Sequence, residues 1–220
     1  MKFIYFYSPL YDYYHKHISS TLSNHFEVDP IYIDDIQPKN GHTFFFGVSV
    51  KIDILIQKIK ENLGDYILFS DATIFINEKT VNNLVPFFEC YKENDLTFVD
   101  EGETKNIGLI LVKCNEETLL FFEKCLHVLK STQGWDQHVI NDELKQGTTL
   151  KIGTFDFNKI VIGYTFCEKF RNTFYIFKIF TNHQKNKEQI FNNRLKVLYD
   201  ANLITKEEYD NNLKLITPVV

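Results

Sequence analysis

The chain has 220 residues, 44% of them hydrophobic and 15% aromatic, which excludes an intrinsically disordered protein and favours one large folded domain. A net charge of −5 gives no electrostatic case for binding nucleic acid. No run approaches the roughly 18 apolar residues of a membrane-spanning helix, and Met1 to Tyr7 is too short and too aromatic for a secretory leader, so a soluble, cytoplasmic chain is expected.

Lys2 to Tyr7 reads as a first strand, followed by the turn-prone Ser8-Pro9-Leu10-Tyr11-Asp12 and a helix from about Tyr13 to Asn24. Glu27 to Ile33 is a second strand that Pro30 confines to an edge or to irregular geometry. Asp34 to His42 is a loop, and the aromatic run Thr43 to Phe46 suits either a core or an interface patch. Val48, Ile52, Leu55, Ile56 and Ile59 recur at helical spacing, so a helix is expected over about Val48 to Asn62, stopped by Gly64.

Tyr66 to Phe69 then forms a continuous apolar run. Such a run suits a strand covered on both faces in a parallel sheet, and Ser70, Asp71 and Thr73 stand together at its end. Strand, helix and strand in this order make a βαβ unit, and open α/β sheets bind ligands at the carboxyl ends of their strands. Asp71 there suits a divalent metal or a ribose, and equally the cap of a turn.

A short helix limited by Pro86 is expected over about Glu78 to Phe87. Short strands follow at Leu96 to Val99 and Ile107 to Lys113, separated by a polar loop from Asp100 to Lys105. Asn115 caps a helix over Glu116 to Lys130, and Trp135 to Leu144 reads as another. Leu150 to Phe157, Ile160 to Phe166 and Thr173 to Phe180 are read as strands, and Lys187 to Asp200 as a helix. Thr205-Lys206-Glu207-Glu208 opens a last helix with a capping box. The whole is an α/β chain: a single domain over residues 1–220, with a core over about 1–183 and a helical C-terminal tail over about 187–216. Cys90, Cys114, Cys125 and Cys167 match no zinc spacing, and Cys114 and Cys125 read as reduced core thiols.

Polar clusters end several apolar elements: Ser8 to Asp12, Ser70 to Thr73, Asn106-Ile107-Gly108, Trp135-Asp136-Gln137 and Asn182-His183. Each alone is ordinary turn chemistry, and their order carries the weight. With Gly47 to Asn62 ahead of Tyr66 to Asp71, with Asp95-Leu96-Thr97-Phe98, Asn106-Ile107-Gly108-Leu109-Ile110 and Lys113-Cys114-Asn115, and with Asp136-Gln137-His138-Val139-Ile140-Asn141, the chain resembles the nucleotide-diphospho-sugar transferases, glycosyltransferases of the GT-A fold, from about residue 3 to residue 195.

The resemblance implies a Rossmann-like GT-A domain with a mostly parallel sheet. It implies transfer of a sugar from a nucleotide-diphosphate sugar, UDP-linked, to a hydroxyl on a glycan, protein or lipid. The family's Asp-x-Asp metal motif falls on Asp71 and Thr73, a departure, because a neutral hydroxyl is a weaker ligand for Mn2+ or Mg2+ than a carboxylate. The family's metal-binding histidine falls on His183, which otherwise reads as an exposed neighbour of a helix cap. Tyr7, Ser8, Tyr11, Lys51, Asp71, Thr73 and Asn106 are the implied donor-binding residues. Tyr7 and Tyr11 otherwise pack the sheet, and Lys51 is otherwise a surface lysine.

Asp136 and Gln137 are the implied catalytic pair. Asp136 is a general base if the reaction inverts the anomeric carbon; if it retains configuration, Asp136 or Gln137 positions the donor. Trp135 beside them suits a sugar-stacking platform or plain core packing. Thr73 also favours an alternative, a nucleotide-sugar-binding module that keeps the fold without turnover. A third class, a hydrolase or phosphatase, lacks its Gly-x-Ser-x-Gly elbow or P-loop in this chain.

Overall fold

The computed structural model describes residues 1–33, 43–163, 165–179 and 187–214, without the side chains of 43–48 and 187–188. The loop expected over Asp34 to His42, His183, and the side chains of Thr43 to Phe46 lie outside the described residues. β1 is Lys2–Tyr7, α1 is Asp12–Leu22 and β2 is Glu27–Tyr32. α2, Thr43–Glu61, starts ahead of the expected Val48, because Phe44, Phe45 and Phe46 carry no helical period that would announce it. Gly64, at φ 92°, lies in the left-handed region and turns the chain into β3, Tyr66–Asp71.

The strands of the main sheet are ordered β2-β1-β3-β6-β5-β7, where β5 is Leu96–Asp100, β6 is Lys105–Lys113 and β7 is Ile152–Thr154. Pro30 sits on the edge strand β2, where a missing N–H costs no ladder bond. β1 pairs in parallel with β2 and β3, and β5 with β7; β6 runs antiparallel to both of its neighbours. β3 is therefore parallel to one neighbour only. Its apolar run is explained by cover on both faces, since alternate residues feed two cores. Ile67 and Phe69 join Ile4, Ile110 and the helix residues Ile52, Leu55 and Phe122. Leu68 joins Phe3, Leu109, Leu111, Ile18 and Leu22 on the opposite face. α4, Glu116–Thr132, packs on α2 and on α5, Asp136–Lys145, and Asn115 closes its expected cap through a capping box with Thr118.

Further local features depart from the sequence reading. The stretch after β3 doubles back at Ala72, whose carbonyl accepts the Ile74 N–H at 2.9 Å. It then forms a separate strand, β4, Ile74–Ile76. The short helix is α3, Leu84–Glu89, and Pro86 lies in its first turn, where no intrahelical acceptor is due, so the proline is accommodated and does not end the helix.

β4 belongs to a second sheet ordered β4-β9-β8, with β8 Ile160–Gly163 and β9 Ile176–Ile179. α6, Lys187–Asp200, covers it by packing Phe191, Leu195 and Leu198 against Phe75, Phe174, Phe177 and Ile179. α7, Lys206–Lys214, follows behind the expected capping box, in which the Glu208 N–H donates to Thr205 Oγ1 at 3.1 Å and the Thr205 N–H donates to Glu208 Oε2 at 2.7 Å. Cys114 and Cys125 are buried thiols. Among the described residues, no helix is long and apolar enough to cross a membrane.

Candidate active site

The chain order leaves β1 flanked by β2 on one side and β3 on the other, so the crevice at the carboxyl ends of β1 and β3 is a topological switch point. Asp71 ends β3 there, level with Phe6 of β1. β6 enters from the opposite direction, so its first residues reach the same end of the sheet. Phe98 faces Ile110 while Val99 faces Asn106, and Ile107 to Leu109 therefore bulge out of the β5 ladder. Such a bulge re-aims backbone groups beside a site.

The centre is one carboxylate held by two lysines. Lys51 Nζ, from α2, lies 2.8 Å from Asp71 Oδ1 and 3.7 Å from Asp136 Oδ2, and donates to the bulged Ile107 carbonyl at 2.9 Å. Lys178 Nζ, from β9, lies 2.5 Å from Asp71 Oδ2 and donates to Thr73 Oγ1 at 2.9 Å. Both lysine side chains are buried, at 7% and 5% exposure, whereas Asp71 keeps 28%. The carboxylate thus faces the opening and the ammonium groups back it.

Burial works against the charge of Asp71, but Lys178 and Lys51 more than offset it and hold the carboxyl well below its ordinary range. Burial also opposes the charge of Lys51, which Asp71 and Asp136 restore beyond its usual value. Burial wins at Lys178, pushing it down to about 8 against the pull of Asp71. Asp136 is raised by burial, with Lys51 opposing, which makes it a stronger base than an exposed carboxylate.

A second network adjoins this centre. Gln137 Nε2 donates to Glu101 Oε2 at 2.7 Å, and Asn106 Nδ2 donates to Glu101 Oε1 at 3.0 Å and to Gln137 Oε1 at 3.2 Å. Asn106 Oδ1 accepts the Gly108 N–H at 2.8 Å, which fixes the bulge. One turn along α5, Asn141 accepts the Lys105 N–H at 2.7 Å and donates to the Lys105 carbonyl at 2.9 Å, locking the helix to the start of β6.

The fold therefore brings together Lys51, Asp71, Thr73, Asn106, Asp136 and Gln137 from four segments. Lys51 is not on the surface. Tyr7 ends β1 but stacks on His15, ring centroids 4.0 Å apart. The Ser8 carbonyl accepts the Tyr11 N–H at 2.8 Å in a short turn. The ring of Tyr11 points to α6, where Arg194 lies over it at 5.8 Å and Arg194 Nη1 donates to its hydroxyl at 3.3 Å. Trp135 is 41% exposed and stacks on His138, which fits a platform better than core packing.

Sequence reading missed Lys178 and Glu101. A lone lysine inside the apolar run Ile176-Phe177-Lys178-Ile179 was the available signal for the first. Glu101 carried none, standing in a polar turn among other acids.

Glycosyltransferases of the GT-A fold often use a divalent metal. Among the described residues the donor set does not fit one. Both oxygens of Asp71 are bonded to ammonium groups, Thr73 is neutral, and no three His, Cys, Asp or Glu side chains converge. A divalent ion about 4 Å from either ammonium would meet about 8 kcal/mol of repulsion at an effective dielectric near 20.

The family model for nucleotide-diphospho-sugar transferases matches residues 27–191. Among solved structures, the chain is similar to a glycosyltransferase involved in the glycosylation of the major capsid of PBCV-1, with a TM-score of 0.63, 13% identity, and coverage of 91% of this chain and 98% of that one. It is also similar to the glycosyltransferase GlyE of Streptococcus pneumoniae TIGR4, with a TM-score of 0.54, 11% identity, and coverage of 97% of this chain. There the chain spans 62% of the other protein's length. No curated protein matches the chain. These likenesses carry the GT-A fold, and the match over most of the sequence carries the family: the chain belongs to the nucleotide-diphospho-sugar transferases, a family of glycosyltransferase enzymes.

Proposed function

We propose that this enzyme transfers a sugar from a UDP-linked donor to a hydroxyl group of a glycan, protein or lipid. The observation that carries the reading is the Asp71–Lys51–Lys178 cluster, a partly open carboxylate backed by buried cations, at the switch point where α/β sheets bind nucleotides. In this reading the diphosphate lies over that cluster and the reacting sugar beside Asp136, Gln137 and Asn106. Tyr7, Ser8 and Tyr11 border the base and ribose at the end of β1, and Trp135 offers a stacking face to the acceptor or sugar.

In an inverting transfer, Asp136 takes the proton of the acceptor hydroxyl, for which its raised affinity for protons suits it. In a retaining transfer, Asp136 and Gln137 hold the donor. Mn2+ or Mg2+ held by Asp71 and His183, as the resemblance implies, would compete with two lysines for one carboxylate.

The test is a thermal-shift panel of UDP, GDP, CDP and dTDP, each with Mn2+ and with EDTA. Mass action requires a bound nucleotide to raise the melting temperature. UDP alone is expected to do so, UDP-sugar hydrolysis is expected without acceptor, and Asp136→Ala is expected to lower that turnover with folding intact. No shift from any nucleotide overturns the reading.

A further inference from the structure

We propose that the Lys178 ammonium is the cation that meets the donor diphosphate, so that donor binding needs no divalent metal. This deepens the nucleotide-sugar reading and rests on it. The side chains at the end of β3 that aim at one cation are Asp71 and Thr73, and the cation between them is Lys178 Nζ, at 2.5 and 2.9 Å. One carboxylate and one neutral hydroxyl match the charge of an ammonium and not that of a divalent ion.

The lysine is built into the site. Its register on β9 is fixed, because Lys178 pairs with Ile74 in the strand that leaves Thr73, and the Ile179 N–H donates to the Thr73 carbonyl. Its stem lies across Gly108. A Cβ there would stand 2.4 Å from Lys178 Cε, 2.7 Å from Nζ and 2.8 Å from Asn106 Oδ1, so any side chain at 108 would have to push aside the lysine tip and the Asn106 amide.

Arg194, on α6, adds to the positive field at Lys178, and its buried Nε has no hydrogen-bond partner among the described residues. Lys51 has a different task. Its ammonium is engaged by Asp71, Asp136 and the Ile107 carbonyl, so it positions the carboxylates. Lys178 stands behind the partly exposed Asp71 carboxylate, beside which the diphosphate would reach it.

When the bond between the sugar carbon and the diphosphate oxygen breaks, its electron pair stays on the diphosphate. Lys178 is placed to offset that charge. The acceptor oxygen forms the new bond and gives its proton to Asp136 or to the departing diphosphate.

The experiment measures UDP affinity by titration calorimetry in EDTA and in Mn2+, for the parent protein, Lys178→Ala and Lys178→Met. The parent is expected to bind equally in both buffers. Lys178→Ala is expected to lose about 10- to 100-fold in EDTA, the range of a charge-assisted hydrogen bond. It is also expected to gain from Mn2+, because Asp71 then has a free oxygen. Lys178→Met keeps the stem and removes only the charge, and is expected to show the same loss, so the result does not depend on Lys178→Ala folding. Parent binding that requires Mn2+ overturns the proposal and leaves the nucleotide-sugar reading standing. Undiminished binding in EDTA by both variants also overturns it. Absence of UDP binding in either buffer overturns both readings together.

Discussion

Replacing Asp71 with asparagine keeps the shape of the site and removes the one charge that two buried lysines share. Among the described residues, Lys51 would retain the Ile107 carbonyl at 2.9 Å and Asp136 at 3.7 Å, and Lys178 only the Thr73 hydroxyl at 2.9 Å. Breaking a buried ion pair from one side costs about 3–5 kcal/mol, because the orphaned charge stays out of water. At 28% exposure Asp71 is partly hydrated, so the lower end is expected. For a chain of this length, about 3 kcal/mol lowers the melting temperature by roughly 6–12 °C. The assay is thermal and urea unfolding of the parent, Asp71→Asn, Lys178→Met and the double variant. Removing both partners of a buried pair is close to neutral, so the double variant should recover most of the stability lost by Asp71→Asn. If Asp71→Asn melts with the parent, or the double variant melts at the sum of the two losses, the buried-charge account of this cluster is wrong.

Asn141→Ala strips the Lys105 N–H and carbonyl of their side-chain partners and should cost about 1–3 kcal/mol. Because that clamp sets where α5 presents Asp136 and Gln137, kcat should fall by about tenfold or more with little change in KM, read from UDP-sugar turnover. His17 stacks on Phe75 at 4.4 Å and accepts the Ile76 N–H at 3.1 Å, and burial pushes it down to about 4. A folded value below the unfolded one near 6.5 gives stability that is complete above pH 6.5 and lost as pH falls through 4. About 2–3 kcal/mol should disappear over that window in urea titrations, and His17→Gln should flatten the profile.

The elements that were legible in the sequence are those whose physics is local. The Tyr66 run, the period of α2, the Asn115 cap and the Thr205 capping box each announce themselves within a few residues. The missed elements are set by partners far along the chain. β4 is too short to signal and exists because β9 pairs with it, about a hundred residues later. Lys178 becomes a site residue only through that pairing and through the absent side chain of Gly108. Asp71 and Asp136 could be singled out by type and position, yet that one lysine bridges them depends on a bulge in β6 that no sequence pattern marks. Glu101 enters the site because the β5–β6 turn folds it toward Gln137 and Asn106.

The second sheet follows from the same logic. A charged strand residue buried at 5% exposure needs its backbone held firmly, or it would swing out to water. β9 is held on one edge by β4 and on the other by β8. Its outer residues Phe177 and Ile179 are covered by Phe191, Leu195 and Leu198 of α6. The C-terminal helices therefore act on the chemistry without touching it: they supply the apolar cover that keeps β9 in place, and β9 supplies Lys178. Arg194, on the same helix, ties that cover to Tyr11 at the end of β1. A change that unseats α6 should consequently weaken the ammonium–Asp71 contact before it disturbs the main sheet, whose cores are built from other residues.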